Sequence, residues 1–452
     1  MAAPPITGIE TQAQSLFAAG AQAWEAGRPE MAAQAFAKAA LLLPHWAAAH
    51  ANLGAALRRL NRPEAAIVSY RRALVFGDEA STRSNLGNAL RDAGHLAEAE
   101  VELRRAVAMV PGNVGYAYNL ALLLRDRRSH REAVSLLERV AQVSPDNPEF
   151  QWDLALSHLT LGEYQTGFAG YESRLGLARN PPRSFLGPRW DGGDPAGKTL
   201  FLTSEQGFGD ALQFARYVPL LARLGARIVL ECLTELMDLF ATLPGVITIV
   251  EKGGPPPPYD AWAPMASLPH LMGTTFQSIP ANVPYIQAPP RPHLSLTRPP
   301  NTKLAVGLVW AGKTTPRDRS WPLTELLPLM EDPRAAFYSF QLGPRAADLA
   351  QCGVDGLVRD AAPVLKSFAD SAALMSQMDL IITIDTSTAH LAGALGCPVW
   401  VLLRYVSDWR WQDEPADSPW YPTMRLFRQT TPLDFKTPVA EMVLALAERL
   451  RG

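Results

Sequence analysis

Cysteine is scarce, with three in 452 residues: Cys232, Cys352 and Cys397. They stand too far apart for a zinc-ligand spacing or a disulfide framework, and read as small buried hydrophobes. No apolar run is long enough to span a bilayer, which excludes a membrane-spanning helix. Excess charge is missing too. Lys and Arg total 42 against 44 Asp and Glu, a net charge of −2, so no nucleic-acid partner is expected. Met1 to Glu10 has neither the basic start nor the apolar stretch of a secretory signal, and a cytoplasmic location is expected. Hydrophobic residues make up 48% and charged residues 19%, ordinary for globular protein. The length allows roughly two to four domains.

What the chain does have is a period. Gly20, Gly54, Gly87, Ala121 and Ala155 are 34, 33, 34 and 34 residues apart. A second small residue follows each, at Ala32, Ala66, Ala99, Ala133 and Gly167. A large one comes next, at Phe36, Tyr70, Leu103, Leu137 and Tyr171. Pro44, Pro111 and Pro145 close three units, and Asp78 takes that place in the second. Small residues let two antiparallel helices approach, the large residue fills the gap, and proline stops the second helix. These positions resemble the tetratricopeptide repeat family. Four full repeats fit from about Ala13 to Asn147. A fifth, Pro148 to about Leu175, departs at His158 and Gly167 and reads as a cap or a junction. Such units stack into a solenoid with a concave face, so a protein partner is expected. Solenoids also self-associate, which leaves a homo-oligomer open.

After a helix-poor connector from Asn180-Pro181-Pro182-Arg183 to Asp194-Pro195, strands and helices alternate. Thr199 to Thr203, Arg227 to Cys232, Val246 to Val250 and Tyr259 to Ala263 read as strands. Helices are expected at Ala211 to Leu224, Thr234 to Thr242 and Leu268 to Met272. The proline-rich Pro289 to Pro300 reads as a linker. The alternation then restarts, with strands Leu304 to Trp310 and Ala336 to Gln341, and helices Thr324 to Met330, Ser367 to Met378 and Pro438 to Leu450. Alternation of this kind implies parallel sheets. The expected fold is therefore an N-terminal α-solenoid followed by a two-lobed α/β region. The expected segments are a tail (1–12), the solenoid (13–178), a linker (179–197), a first lobe (198–288), a second linker (289–302) and a second lobe (303–452). Alternation alone leaves glycosyltransferases, periplasmic binding proteins and epimerases open.

Three loops follow predicted strands. Gly207-Phe208-Gly209-Asp210 combines turn-forming glycines with a carboxylate at a helix start, which suits either a helix cap or a base. The segment Ala311 to Ser320 carries Lys313, Arg317 and Arg319, cations that can neutralise a diphosphate. Asp379 to Leu403 reads strand, loop, helix, strand. Its loop, Asp385-Thr386-Ser387-Thr388-Ala389-His390, crowds hydroxyls and a histidine at a helix N-terminus, a natural phosphate site. Trp409, Trp411 and Trp420 suit core packing or stacking on a base or sugar. Arg404 and Arg410 are candidate phosphate or carboxylate partners.

From Thr199 to Leu450 the chain resembles the glycosyltransferase family that contains the bacterial heptosyltransferases. The likeness lies in the Gly-Asp pair at Gly209-Asp210, in Arg317-Asp318-Arg319-Ser320-Trp321-Pro322, and in Asp385-Thr386 through His390-Leu391. Ser387 departs from that family's usual glycine. The segments Asp408-Trp409-Arg410-Trp411 and Asp417 to Pro422 resemble a subfamily in which tetratricopeptide repeats precede the transferase. That subfamily is similar to bacterial protein glycosyltransferases, including flagellin-modifying ones. The resemblance implies a GT-B fold and an inverting transferase that needs no metal or cofactor, with a nucleotide-sugar as donor. It makes Asp210 the general base, with Gly207 and Gly209 in the acceptor-side loop. Asp385 would contact the donor sugar. Thr386, Ser387, Thr388, His390, Arg319 and Lys313 would hold the diphosphate. A protein acceptor, flagellin being a candidate, would be captured by the solenoid and modified on Ser or Thr. Two other readings stay open: a transferase acting on a saccharide such as lipopolysaccharide core, and a repeat adaptor with an inactive transferase-like region. The donor's base and sugar are left open.

Overall fold

The structure, a computed structural model, describes residues 8–180, 183–315 and 318–451. Outside them lie the first seven residues of the expected tail, Pro181 and Pro182 of the linker, and Pro316 and Arg317 of the cationic loop. The described chain divides into two compact units, one ending at Ser157 and one beginning at His158.

The first unit is built of helix pairs: Gly8–Glu25 with Pro29–Leu42, Ala47–Arg59 with Pro63–Phe76, Ala80–Asp92 with Leu96–Met109, and Val114–Asp126 with His130–Val143. The small and large residues of the period explain the pairing. Ala32, Ala66, Ala99 and Ala133 are fully buried, as are Leu103 and Leu137. A Cβ added to Gly20 would stand 2.7 Å from the Phe36 ring; at Gly54 it would stand 2.8 Å from Tyr70, and at Gly87 2.5 Å from Leu103 Cγ. The first three helix pairs therefore close around a hydrogen atom where any other residue would place a carbon. The turn inside each repeat needs one left-handed residue, which Gly27, Asn61, Gly94, Arg128 and Gly162 supply. The fifth repeat keeps that turn, with helices Pro148–Thr160 and Tyr164–Tyr171 followed by a 3-10 turn, Glu172–Gly176.

The second unit holds two parallel sheets. The first orders β3-β2-β1-β4, with β1 Thr199–Thr203, β2 Arg227–Cys232, β3 Val246–Glu251 and β4 Ala261–Pro264. The second orders β10-β9-β8-β5-β6-β7, with β5 Leu304–Leu308, β6 Ala335–Ser339, β7 Val358–Asp360, β8 Leu380–Ile384, β9 Val399–Leu403 and β10 Met424–Arg428. β1, β6, β8 and β9 are buried along their whole length, as strands covered on both faces must be. The C-terminal helix, Lys436–Arg451, lays Val439, Met442, Leu446 and Leu450 into the second sheet's core beside Trp310 and Trp321.

The strand order fixes where a ligand can sit. In the first sheet the chain runs outward from β1 on one side and returns to β4 on the other. In the second it runs from β5 through β6 to β7, then returns to β8. These reversals are topological switch points, where the loops at the strand carboxyl ends part to leave a crevice. The loops of Gly207 to Asp210, Ala311 to Ser320 and Asp385 to His390 follow β1, β5 and β8.

Prolines shorten several expected helices. The stretch Ala211 to Leu224 divides into Phe208–Phe214, a 3-10 turn Ala215–Tyr217, and Val218–Arg223, where Pro219 has no N–H for the interrupted ladder. Thr324 to Met330 is a turn of helix, Leu323–Leu326, continued as a 3-10 segment that contains Pro328. Two short strands, β7 and β10, add to the expected set.

The repeat packing makes a direct prediction. Gly87→Val should destabilise the first unit by about 1–3 kcal/mol through overpacking. The same substitution should cost less in a Leu103→Ala background, where the cavity receives it. Chemical denaturation of the four chains checks this.

Candidate functional site

Ten of the residues singled out for chemistry line one cleft of about 630 Å³ within the second unit: Gly207, Gly209, Asp210, Lys313, Arg319, Asp385, Thr386, Ser387, Thr388 and His390. The loops of both sheets contribute to it, and Asp408 and Arg410, from the segment after β9, join them.

Asp210 lies in the first turn of the Phe208–Phe214 helix, whose N-cap is Gly207. Its Oδ2 accepts the Gly207 N–H at 3.2 Å. Its Oδ1 accepts from Arg410 Nη2 at 2.5 Å. The carboxylate thus closes half of a capping box and also forms an ion pair. About 29% of its side chain stays exposed, so it is not sealed from the cleft.

The loop of Asp385 to His390 begins with Asp385, buried just past the end of β8. Burial pushes its carboxyl above the usual range and Asp408 adds to this, while Arg319, donating from Nη1 at 3.2 Å, opposes it. Thr386 is the N-cap of the Ser387–Ala394 helix, its hydroxyl accepting the Thr388 N–H at 3.3 Å. Ser387 is the first helical residue. Lys313 is exposed at the cleft's other wall.

His390 is held from two sides. Its ring stacks on Trp411, centroids 5.3 Å apart and 25° between planes, and its Nδ1 lies 2.8 Å from the Tyr421 hydroxyl. Burial first, then Arg410, Arg216 and Arg319, drive its pKa well below the ordinary value, so the imidazole is neutral at neutral pH. The Tyr421 hydroxyl has one hydrogen, and its other neighbour, the Tyr285 hydroxyl, is 3.5 Å away. The tautomer of His390 decides which partner donates in the shorter contact: Tyr421 donates when the ring proton is on Nε2, and Nδ1 donates when it is not. A Cβ on Gly209 would stand 2.9 Å from His390 Cδ2, and one on Gly312 2.9 Å from Thr386 Cγ2. The two glycines let the acceptor-side loop and the cationic loop close on the donor loop.

The other singled-out residues are placed differently. Trp409, Trp411 and Trp420 are buried, at 3%, 0% and 0% exposure, and are packed rather than presented as open stacking faces. Arg404 Nη1 donates to the Asp318 carbonyl at 2.8 Å. Arg410 meets carboxylates: Asp210, and Asp408 Oδ1 at 2.8 Å. Gln341 was not anticipated. Its Oε1 accepts the N–H groups of Trp310 and Ala311 at 3.1 and 2.8 Å, and its Nε2 donates to the Ala311 and Leu342 carbonyls at 3.2 and 2.9 Å. It fixes the entrance to the cationic loop. A polar residue just past the end of β6 was the available signal. Phe208 and Phe368, rings 4.8 Å apart, close the cleft from opposite lobes. Among the described residues no three His, Cys, Asp or Glu gather as a metal-holding group, and no helix is long and apolar enough to cross a membrane.

Protein FlbA of Caulobacter vibrioides is 30% identical over 443 residues, a match covering 90% of this chain and 74% of FlbA. The chain belongs to the FlbA family. The tetratricopeptide repeat family matches at residues 47–74, 80–110 and 118–175. Solved structures similar in part include MamA from Desulfovibrio magneticus, 15% identical, covering 39% of this chain and 98% of that one at a TM-score of 0.35. Another is pilF of Pseudomonas aeruginosa, 22% identical, covering 39% of this chain and 80% of that one at 0.34.

Two pH effects follow from the buried groups. Asp385 has a raised carboxyl, so its contribution to stability is present at low pH and lost as pH rises through the raised value. Asp385→Asn should therefore raise the melting temperature at pH 7 to 8 by about 2 °C or more, and by less on acidification. His390 has a depressed pKa, so stability is full above the ordinary histidine value and falls as pH drops toward the depressed one. His390→Gln should flatten that acid limb. Thermal melts of the full chain from pH 4.5 to 8 check both.

Proposed function

We propose that the second unit is a GT-B glycosyltransferase that transfers a sugar from a nucleotide-sugar to a hydroxyl of a protein acceptor captured by the repeats. The observation that carries this reading is the gathering of the three loops in one cleft at the switch points of two parallel sheets. One loop brings a partly exposed carboxylate, one brings cations, and one brings a helix N-terminus.

The chemistry follows from the placement. Asp210 takes the proton of the acceptor hydroxyl as its oxygen attacks the anomeric carbon. The bond from that carbon to the phosphate oxygen breaks, and its electron pair leaves with the nucleotide. The backbone N–H groups at the start of the Ser387–Ala394 helix, with Arg319 and Lys313, face the growing negative charge. Neutral His390, in the tautomer with its proton on Nε2, can donate to a phosphate oxygen without adding charge. Asp385 accepts from hydroxyls of the donor sugar, whose anomeric carbon takes on oxocarbenium character. Direct attack inverts that carbon. Fixed cations and the helix dipole supply the stabilisation for which other transferases use a divalent ion.

The repeats supply the second half of the proposal. A stacked array presents a surface suited to a polypeptide, and a Ser or Thr hydroxyl is the acceptor that Asp210 would serve. Flagellin is the first acceptor to test. Intact-mass spectrometry of flagellin from the host strain should show sugar-sized increments that vanish when the gene is deleted. Wild-type chain should restore them. Asp210→Asn should lower transfer by about 100-fold or more. Unchanged flagellin mass on deletion removes flagellin as acceptor, and full restoration by Asp210→Asn removes Asp210 from the mechanism.

A further inference from the structure

We propose that Arg410 is the positioning residue for the Asp210 carboxylate, held in place from behind by the aromatic residues that end the fifth repeat. This rests on the reading of Asp210 as the base. Arg410 is 7% exposed, and its guanidinium is spread over three acceptors: Nε to Gln213 Oε1, Nη1 to Asp408 Oδ1 at 2.8 Å, and Nη2 to Asp210 Oδ1 at 2.5 Å. Two of these acceptors, Asp210 and Gln213, sit on the Phe208–Phe214 helix of the first lobe, and the third sits on the turn that carries Arg410 itself. A planar fork with three fixed partners sets direction as well as charge, which a point charge does not.

The guanidinium plane is also fixed. Its carbon lies 4.4 Å from the Trp409 ring centroid and 5.8 Å from that of Phe214. Trp409 in turn packs edge-on against Tyr164, Phe168 and Tyr171, with centroids 5.6 to 6.2 Å away. Those three rings lie on the second helix of the fifth repeat, which belongs to the same compact unit as the cleft. Burial alone would lower the Arg410 pKa, but the charges of Asp408 and Asp210 outweigh it and raise it, so the guanidinium stays charged. With Oδ1 taken by Arg410, Oδ2 accepts the Gly207 N–H and keeps a lone pair for the acceptor proton.

The test uses the full chain with flagellin from the deletion strain as acceptor. ADP-, UDP-, GDP- and CMP-activated sugars are offered one at a time, and nucleotide release is followed. Wild type, Asp210→Asn, Arg410→Met and Arg410→Lys are compared. Arg410→Met should lower kcat by about 100-fold and leave the donor KM within about twofold. Arg410→Lys keeps the charge and should recover part of kcat, which a purely structural residue would not show. Loss in Asp210→Asn with normal kcat in both Arg410 variants overturns the assignment of Arg410 alone. A rise in donor KM with kcat intact would make Arg410 a donor-binding residue and also overturns it. Turnover retained in Asp210→Asn, or none by the wild type, overturns the underlying reading and the assignment with it.

Discussion

The approach of the Phe208–Phe214 helix to the Ser387–Ala394 helix depends on a missing side chain. Gly209 faces the His390 ring at a distance where a Cβ would clash, and Gly312 faces Thr386 in the same way. Gly393, on the donor helix, leaves room for Tyr421, whose hydroxyl then reaches His390. The same device builds the repeats, where Gly20, Gly54 and Gly87 each admit the large residue of the paired helix. Close backbone approach is what allows three loops from two sheets to share one cleft.

Around that approach the polar residues form a connected set. Arg410 joins Asp408 to Asp210 across the two lobes, and Arg319 joins the cationic loop to Asp385. Trp409 and Trp411 flank Arg410 in sequence and serve opposite sides, one under the guanidinium and one under His390. A single 3-10 turn, Trp409–Trp411, thereby sets the register of the acceptor-side loop against the donor loop. The buried carboxyl of Asp385 and the buried neutral His390 are costly placements. Groups held at such a cost gather where charge must be handled, and both lie beside the helix N-terminus assigned to the diphosphate.

Much of this was legible in the sequence because it is written locally. The repeat period shows in small and large residues at fixed offsets, and each pair meets in space. The loops after β1, β5 and β8 stand out as polar clusters at the ends of apolar runs, so their residues could be named before their meeting was seen. The partners of Arg410, Gln341 and Tyr421 were not legible in this way. Arg410 meets a carboxylate 200 residues away, Gln341 ties a backbone 30 residues earlier, and Tyr421 reaches His390 across 31. Nothing in local spacing encodes those contacts. β7, with three residues, and the edge strand β10 are too short or too mixed in pattern to declare themselves.

The central claim is that the cleft takes a nucleotide-activated sugar at the start of the Ser387–Ala394 helix. Titration calorimetry of the purified full chain with UDP, ADP, GDP, CDP and CMP tests it most directly. The account predicts saturable binding of at least one of these nucleotides, weakened about tenfold by Arg319→Ala, the loss of one charged hydrogen-bonding partner. Failure of all five to bind the wild-type chain, or binding that ignores Arg319, would contradict it.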